Sequence, residues 1–286
     1  MEVRKIGVVG SGLMGAGIAQ IAAVAGFDVV VYDISMDLVE KGINRIDLSL
    51  GKMVQKNKIN NKDKKDIIDR IVKSEDLHDL SDAEIIFEAI IENAGSKKEL
   101  FASLDSICGK DCIFATNTSG LSITDIASST KRKNKFIGAH FFNPVPVMGL
   151  LEIIRGYDTD DTTYEAVANI GKKFGKEIIT VKEAPLFCVN RILVPMINEA
   201  IFVLSEGIAS AEDIDKGMCL GANHPIGPLA LADLIGLDTL LDVTETLYRE
   251  MSDSKYRPCP LLKKLVRAGC LGRKAGKGFY TYTNDG

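Results

Sequence analysis

The 286-residue sequence has no Cys-x-x-Cys pair among its six cysteines and only three histidines. That is too little, too widely spread, for a zinc site, and no metal is expected. It has eight prolines beside 26 glycines, with 46% hydrophobic and 26% charged residues. This balance excludes a disordered, collagenous or coiled-coil chain. No apolar run approaches the roughly 18–20 residues needed to cross a bilayer. The opening Met1-Glu2-Val3-Arg4-Lys5 passes straight into a buried-strand pattern, which predicts no signal peptide. Excess positive charge is lacking too: the formal net charge is −4, so no nucleic-acid or membrane partner is expected. The cysteines read as buried free thiols of a soluble, cytoplasmic protein.

What is present is strand and helix in alternation. Lys5-Ile6-Gly7-Val8-Val9 is a β-branched run, followed by Gly10-Ser11-Gly12-Leu13-Met14-Gly15 and an Ala/Ile-rich helical stretch that stops at Gly26. Val29-Val30-Val31-Tyr32 is a second buried strand, ending at Asp33. Strand, glycine turn, helix and strand within about 30 residues make a βαβ unit. From Met36 to about Asn57 the period becomes helical, with Ile43, Ile46, Leu50, Met53 and Val54 on one face and Arg45, Ser49, Lys52 and Lys56 on a basic stripe. Residues 57–69 predict a turn and a second helix, so a helical hairpin is inserted after the second strand. Further strands are expected over 85–90, 113–116, 136–139, 150–154 and 177–181. Continuous apolar runs separated by helices predict a mainly parallel sheet covered on both faces. After Glu183-Ala184-Pro185 the pattern turns helical, with a helix over 192–205, a capping-box-like Ser210-Ala211-Glu212-Asp213, and Pro228 opening another helix. The only later strand-like run is Gly278–Tyr282. The expectation is an α/β Rossmann-like domain over 1–185 and an all-α domain over 186–286.

The glycine turn has the right context on three counts: a strand before it, a helix after it, and an acid closing the next strand. Gly10, Gly12 and Gly15 permit a tight turn, close approach to a pyrophosphate and close helix–strand packing, while the helix N-terminus offers N–H donors. Asp33 would bind the two ribose hydroxyls and repel a 2′-phosphate, which favours NAD over NADP. A tight turn with a capping Asp and no ligand is the bland alternative.

Three histidines permit elimination. His78 sits in a polar connector and His224 in a turn between helices. His140 ends a strand, at the edge where ligands bind in open α/β sheets. On position alone a satisfied core histidine is an equal reading. Asn117-Thr118-Ser119 follows a strand to the same edge. Glu152 lies inside Leu150-Leu151-Glu152-Ile153-Ile154, where a carboxylate needs a partner. A chain that turns at Asn143-Pro144-Val145-Pro146 and returns through Glu152 would bring the two side chains together. Such a pair suits alcohol oxidation, the imidazole taking the hydroxyl proton and the carboxylate fixing its tautomer. A structural ion pair at Glu152 is the alternative.

Taken with His140-Phe141-Phe142-Asn143-Pro144, Val189-Asn190-Arg191, Gly227-Pro228 and the stretch from Gly272 to Tyr280, these motifs cover essentially the whole chain. Together they resemble the short-chain L-3-hydroxyacyl-CoA dehydrogenases, most of all the bacterial 3-hydroxybutyryl-CoA dehydrogenases. The resemblance implies reversible, NAD-dependent interconversion of acetoacetyl-CoA and (S)-3-hydroxybutyryl-CoA. By it His140 is the general acid/base, Glu152 its partner, Ser119 a hydrogen-bond donor to the reacting oxygen, and Asn190 a substrate contact. The cofactor would meet Gly10, Ser11, Gly12, Leu13, Met14, Gly15, Asp33, Glu92, Lys97, Asn117, Ser119, Asn143 and Lys274. The acyl-CoA would meet Ser49, Lys52, Lys56 and Ser119. The ten Lys/Arg against four Asp/Glu between Lys41 and Lys73 suit a polyanionic handle. The resemblance also implies a substrate cleft between the domains and a homodimer or larger homo-oligomer through the helical domain.

Some positions depart from the family pattern: Ala94-Gly95-Ser96 before Lys97, Gly120 after Ser119, Gly149 after Met148, and Leu186 where Gly is usual before Phe187. Alternatives are a relative acting on a longer or carboxylated acyl-CoA or on a free sugar acid, and a non-catalytic NAD-binding sensor. The β-hydroxyacid dehydrogenases that use a catalytic lysine fit less well, since Val189-Asn190-Arg191 offers none.

Overall fold

The computed structural model describes residues 3–282, so Met1 and Glu2, on which part of the signal-peptide expectation falls, lie outside the described residues. The chain divides into two compact units, Met1–Ala184 and Pro185–Gly286. In the first unit the apolar runs become strands and the Ala- and charge-rich runs become helices. The order is β1 (Lys5–Val9), α1 (Leu13–Val24), β2 (Asp28–Tyr32), α2 (Met36–Gln55), α3 (Asn61–Asp69), β3 (Ile71–Ser74), β4 (Ile85–Glu88), α4 (Ala94–Ile107), β5 (Ile113–Thr116), α5 (Ile123–Ala127), β6 (Phe136–Phe141), β7 (Leu150–Arg155), α6 (Asp161–Lys173) and β8 (Glu177–Lys182).

The strands form one sheet in the order β3-β2-β1-β4-β5-β6-β7-β8. The first six are parallel, β7 runs antiparallel to β6, and β8 is parallel to β7. From β1 the chain builds outward through β2 and β3, then returns to place β4 on the other side of β1. The carboxyl ends of β1 and β4 therefore form the topological switch point, where ligands bind in this architecture. Ile6, Val8, Val29, Val31, Ile85, Phe87, Ile137, Ala139 and Ile153 fill the core under the sheet. Helix α1 is buried on nearly all sides from Gly15 to Ala23, which is why it shows no apolar stripe. Helix α2 is amphipathic, and its buried seam runs through Val39, Gly42, Ile46 and Leu50. It starts further toward the N-terminus than the expected stripe, whose Ile43, Met53 and Val54 are half-buried.

The sequence reading misses β3. This short edge strand has exposed Val72 and Lys73, so it carries little apolar signal.

The second unit contains α7 (Val189–Ser205), α8 (Ala211–Gly221), α9 (Pro228–Ile235), α10 (Leu237–Met251) and α11 (Pro260–Arg267). Its core joins Val194, Ile197, Ile201, Leu229, Leu237, Leu240, Leu247 and Leu262. Helix α7 begins three residues before the expected start and continues through Pro195. Proline lacks only its own N–H, so one interior hydrogen bond is forgone while apolar burial on both sides keeps the helix. Ser210 caps α8 as its spacing suggests, its hydroxyl accepting from the Asp213 N–H at 3.1 Å. The strand-like run at 278–282 forms no strand; its Thr281 makes an isolated bridge with Lys277, which also bridges Gly272. Its residues are held by side chains instead. Asp233 accepts from the Phe279 and Tyr280 N–H groups, and Asp215 from the Tyr280 hydroxyl. The thiols are less uniform than expected: Cys108, Cys112 and Cys259 are buried, Cys219 and Cys270 half-buried, and Cys188 exposed.

Candidate active site

At the end of β1 the glycine turn is dictated by space. Gly10 has φ +94°, a conformation that L side chains rarely adopt, and a Cβ there would meet the Ala89 carbonyl at 2.6 Å. A Cβ on Gly15 would fall 1.7 Å from the Gly10 carbonyl oxygen, so no other residue lets α1 start this close to the turn. Gly12 is the opposite case, with no heavy atom within 4 Å of a built Cβ. It caps α1 without any side-chain hydrogen bond to the first-turn N–H groups. The turn thus presents a bare, positively polarised helix end beside open space, which fits a pyrophosphate. Asp33, at the end of β2, accepts from the Ser11 N–H and lies 2.7 Å from the Ser11 hydroxyl. Its other oxygen accepts from the Ile34 N–H at 2.8 Å. The carboxylate is therefore fixed beside the glycine turn, where it can accept further hydrogen bonds. Leu13 is exposed and Met14 half-buried at the mouth of this turn.

The second cluster lies at the ends of β4, β5 and β6. The antiparallel register sets His140 directly opposite Glu152, on one face of the sheet. Their separation, Nδ1 to Oε2, is 2.7 Å, with His140 4% exposed and Glu152 completely buried. The expected meeting of the two side chains is thus produced by strand pairing. The Phe142 ring packs on the imidazole at 4.5 Å. Nε2 of His140 lies 3.3 Å from the Ser119 hydroxyl. Asn117 accepts the Phe141 N–H through its side-chain oxygen at 2.9 Å, tying the β5 loop to the histidine strand. Glu92 accepts from the Thr118 hydroxyl at 2.5 Å and the Ser119 N–H at 2.8 Å. Lys97 has no exposure, and its ammonium donates to Glu88 at 2.6 Å.

Two buried groups here escaped the sequence reading. Glu88 ends β4, just as Glu152 interrupts an apolar run, so the same signal could have found it. Burial pushes its carboxyl above the usual range, against the opposing pull of Lys97 and of hydrogen bonds from Thr116 and Ile90. Lys176, buried with only carbonyls for partners, donates to the Val145 and Met148 oxygens at 2.5 and 2.7 Å. Burial lowers its pKa. It secures the β6–β7 loop, which carries exposed Asn143.

A cavity of about 280 Å³ opens between α1, α2 and that loop, lined in part by Gly17, Arg45, Ser49, Lys52 and Asn143. Ser49 and Lys52 therefore come together with Asn143, whereas Lys56 lies past the end of α2, outside this lining. Asn190 and Lys274 belong to the second unit. Asn190 stands in the first turn of α7, and Lys274 pairs with Asp238 at 2.6 Å. His78 is exposed on a 3-10 turn and His224 half-buried in a loop. No cluster of three metal-ligating side chains occurs among the described residues.

With this geometry in place, the comparisons decide the family. The 3-hydroxyacyl-CoA dehydrogenase NAD-binding domain matches residues 5–184, and the C-terminal domain of the same family matches residues 187–282. The chain belongs to the 3-hydroxyacyl-CoA dehydrogenases. It is 50% identical to a probable 3-hydroxybutyryl-CoA dehydrogenase of Bacillus subtilis, over 99% of this chain and 98% of that one. It is 49% identical to a 3-hydroxybutyryl-CoA dehydrogenase of Clostridioides difficile, over 97% and 99% of the two chains. The crystal structure of (S)-3-hydroxybutyryl-CoA dehydrogenase from Ralstonia eutropha superposes with a TM-score of 0.97 at 52% identity, covering 99% of this chain and all of that one. As a member of this family the chain is a dehydrogenase whose first unit is its NAD-binding domain. The expected fold class and cofactor are borne out.

Proposed function

We propose that this dehydrogenase interconverts acetoacetyl-CoA and (S)-3-hydroxybutyryl-CoA, with His140 as general acid/base. The observation that carries the reading is the His140–Glu152 contact of 2.7 Å between two buried groups, with Ser119 3.3 Å from the other ring nitrogen. An ionised carboxylate only accepts, so Glu152 requires Nδ1 to be the donor in neutral His140. Nε2 then carries the lone pair, on the side of Ser119. In the oxidative direction Nε2 takes the proton of the 3-hydroxyl, and Glu152 stabilises the imidazolium that results. Ser119 donates to the same oxygen and sets its distance from the imidazole. Bound NAD supplies the hydride acceptor. In the reductive direction the same imidazolium returns the proton to the developing alkoxide.

Gly10 to Gly15 would hold the pyrophosphate and Asp33 the ribose, with Glu92, Asn117, Asn143 and Lys274 completing the cofactor contacts; Lys97, expected among them, has no exposure and instead pairs with Glu88. Ser49 and Lys52, which line the cavity beside Asn143, would take the CoA phosphates, and Lys56 would reach them from the end of α2. Asn190 would contact the substrate. The names of the similar proteins support the C4 substrate over a longer acyl chain or a sugar acid. The reading further places the protein in the cytoplasm, as a homodimer or larger homo-oligomer joined through the second unit, which a sedimentation run reads directly. No helix among the described residues is long and apolar enough to cross a membrane.

The test is NADH oxidation with acetoacetyl-CoA, run beside free acetoacetate, a longer 3-ketoacyl-CoA and NADPH. Turnover with acetoacetyl-CoA and NADH, and little with the others, is expected. Faster turnover of free acetoacetate would remove the CoA assignment of α2.

A further inference from the structure

The contacts around Glu88 form an unbroken path to the histidine. Glu88 is the last residue of β4 and has no exposure. One carboxylate oxygen accepts from the Ile90 N–H at 2.7 Å and from the Lys97 ammonium at 2.6 Å, and the other from the Thr116 hydroxyl at 2.5 Å. Lys97 reaches the Asn117 carbonyl at 3.5 Å and the Glu92 carboxylate at 3.6 Å. Glu92 in turn holds the Ser119 N–H, and the Ser119 hydroxyl faces Nε2 of His140.

Lys97 is therefore one cation shared unequally between two carboxylates, Glu88 with no exposure and Glu92 with 45%. An ammonium without solvent must be matched by a nearby negative charge. Glu88 provides that match and leaves Glu92 loosely engaged at 3.6 Å. Without the Glu88 charge, Lys97 would be drawn onto the Oε2 of Glu92, and closing that 3.6 Å gap would turn the carboxylate whose Oε1 holds the Ser119 N–H. We propose that Glu88 is a positioning residue for the reaction: by holding Lys97 it keeps Glu92 on Ser119, and so keeps the Ser119 hydroxyl in register with His140.

This inference rests on the dehydrogenase reading above, which places the reacting oxygen beside Ser119 and His140. Glu88→Gln is the informative change. The amide oxygen can still accept from Ile90 and Lys97, and its NH2 can donate to a rotated Thr116 hydroxyl, so mainly charge is lost. The expected result is a kcat at least tenfold lower at saturating NADH and acetoacetyl-CoA. Lys97→Met should lower kcat by a similar factor. The double variant should be no slower than the worse single variant, because both changes break the same link. Its melting temperature should recover toward wild type, because neither charge is left buried alone. Wild-type kcat in Glu88→Gln, or losses that multiply in the double variant, would overturn the proposal. If Glu88→Gln does not fold, the double variant decides, since wild-type kcat there would show that the pair only stabilises the fold. A wild-type protein silent toward acetoacetyl-CoA would instead count against the function. The Kd for NADH would then be the readout, tenfold weaker in Glu88→Gln if the proposal holds and unchanged if it does not.

Discussion

Glu152 and Asp33 show how one residue type serves two purposes according to its surroundings. Glu152 is sealed from solvent and engages an imidazole, so its charge orients the ring. Glu152→Gln puts in its place a group that can also donate to Nδ1, which would move the ring proton to Nε2 and remove the base. A loss of about 10²–10⁴ in kcat is expected, with Kd for NADH unchanged, as kinetics and fluorescence titration would show. Asp33 is half-buried, and its two oxygens accept backbone N–H groups from Ser11 and Ile34. Asp33→Ala is expected to weaken NADH about tenfold, the order of one charged hydrogen bond, and to narrow the preference over NADPH. A variant that still rejects NADPH as strongly as wild type would show that some other group sets the preference.

Elements, more than single residues, decide where these groups sit. Capping stabilises α6, where Asp160 accepts from the Thr163 N–H at 2.7 Å, the Thr162 hydroxyl at 2.8 Å and the Asn134 amide at 2.9 Å. Burial works to raise its pKa, but those hydrogen bonds win and hold it at about 2. Because that is below the unfolded value of about 3.9, the folded state favours the carboxylate. The stabilisation is complete above about pH 4 and disappears as the pH falls toward 2. Solvent screening keeps it modest. Urea midpoints of wild type and Asp160→Asn should differ most above pH 4 and converge near pH 2. At the opening of the second unit, Leu186 and Phe187 have φ of +61° and +58°. Leu186 stands where the family pattern has glycine, and Leu186→Gly would relieve strain of about 1–2 kcal/mol. It would also remove a side chain that is 1% exposed in the core, a loss of about 2–5 kcal/mol. Burial wins, so the variant is expected to melt lower; a higher melting temperature would mean that strain dominates. Such features bound what sequence can reveal. β1, β5 and β7 were legible because both faces are covered and nearly every residue is apolar. β3 was not, because an exposed edge strand needs no apolar pattern. Glu88 was legible by the same signal as Glu152, a carboxylate in an apolar run, whereas Lys176 was not, because its burial depends on carbonyls 28 and 31 residues away.

At the scale of the whole molecule, two units with separate cores carry the family's two domains, and the glycine turn and the His140–Glu152 pair lie on the first. NADH at a hundred times its Kd adds about 2.7 kcal/mol to whatever cooperative unit binds it. A calorimetric scan should therefore move the transition of the first unit upward; a scan indifferent to NADH would contradict the cofactor site at the glycine turn. The His140–Glu152 pair could be read in outline from sequence because the loop between the strands is short, while the cross-strand register that joins them is a property of the folded sheet. The most direct test of the account is the kcat of His140→Gln for NADH oxidation with acetoacetyl-CoA, measured on protein shown to bind NADH as tightly as wild type. A fall of about 10²–10⁴ is expected for the loss of a general acid. A kcat within a few-fold of wild type would contradict the assignment of His140 and, with it, the mechanism built on Glu152 and Ser119.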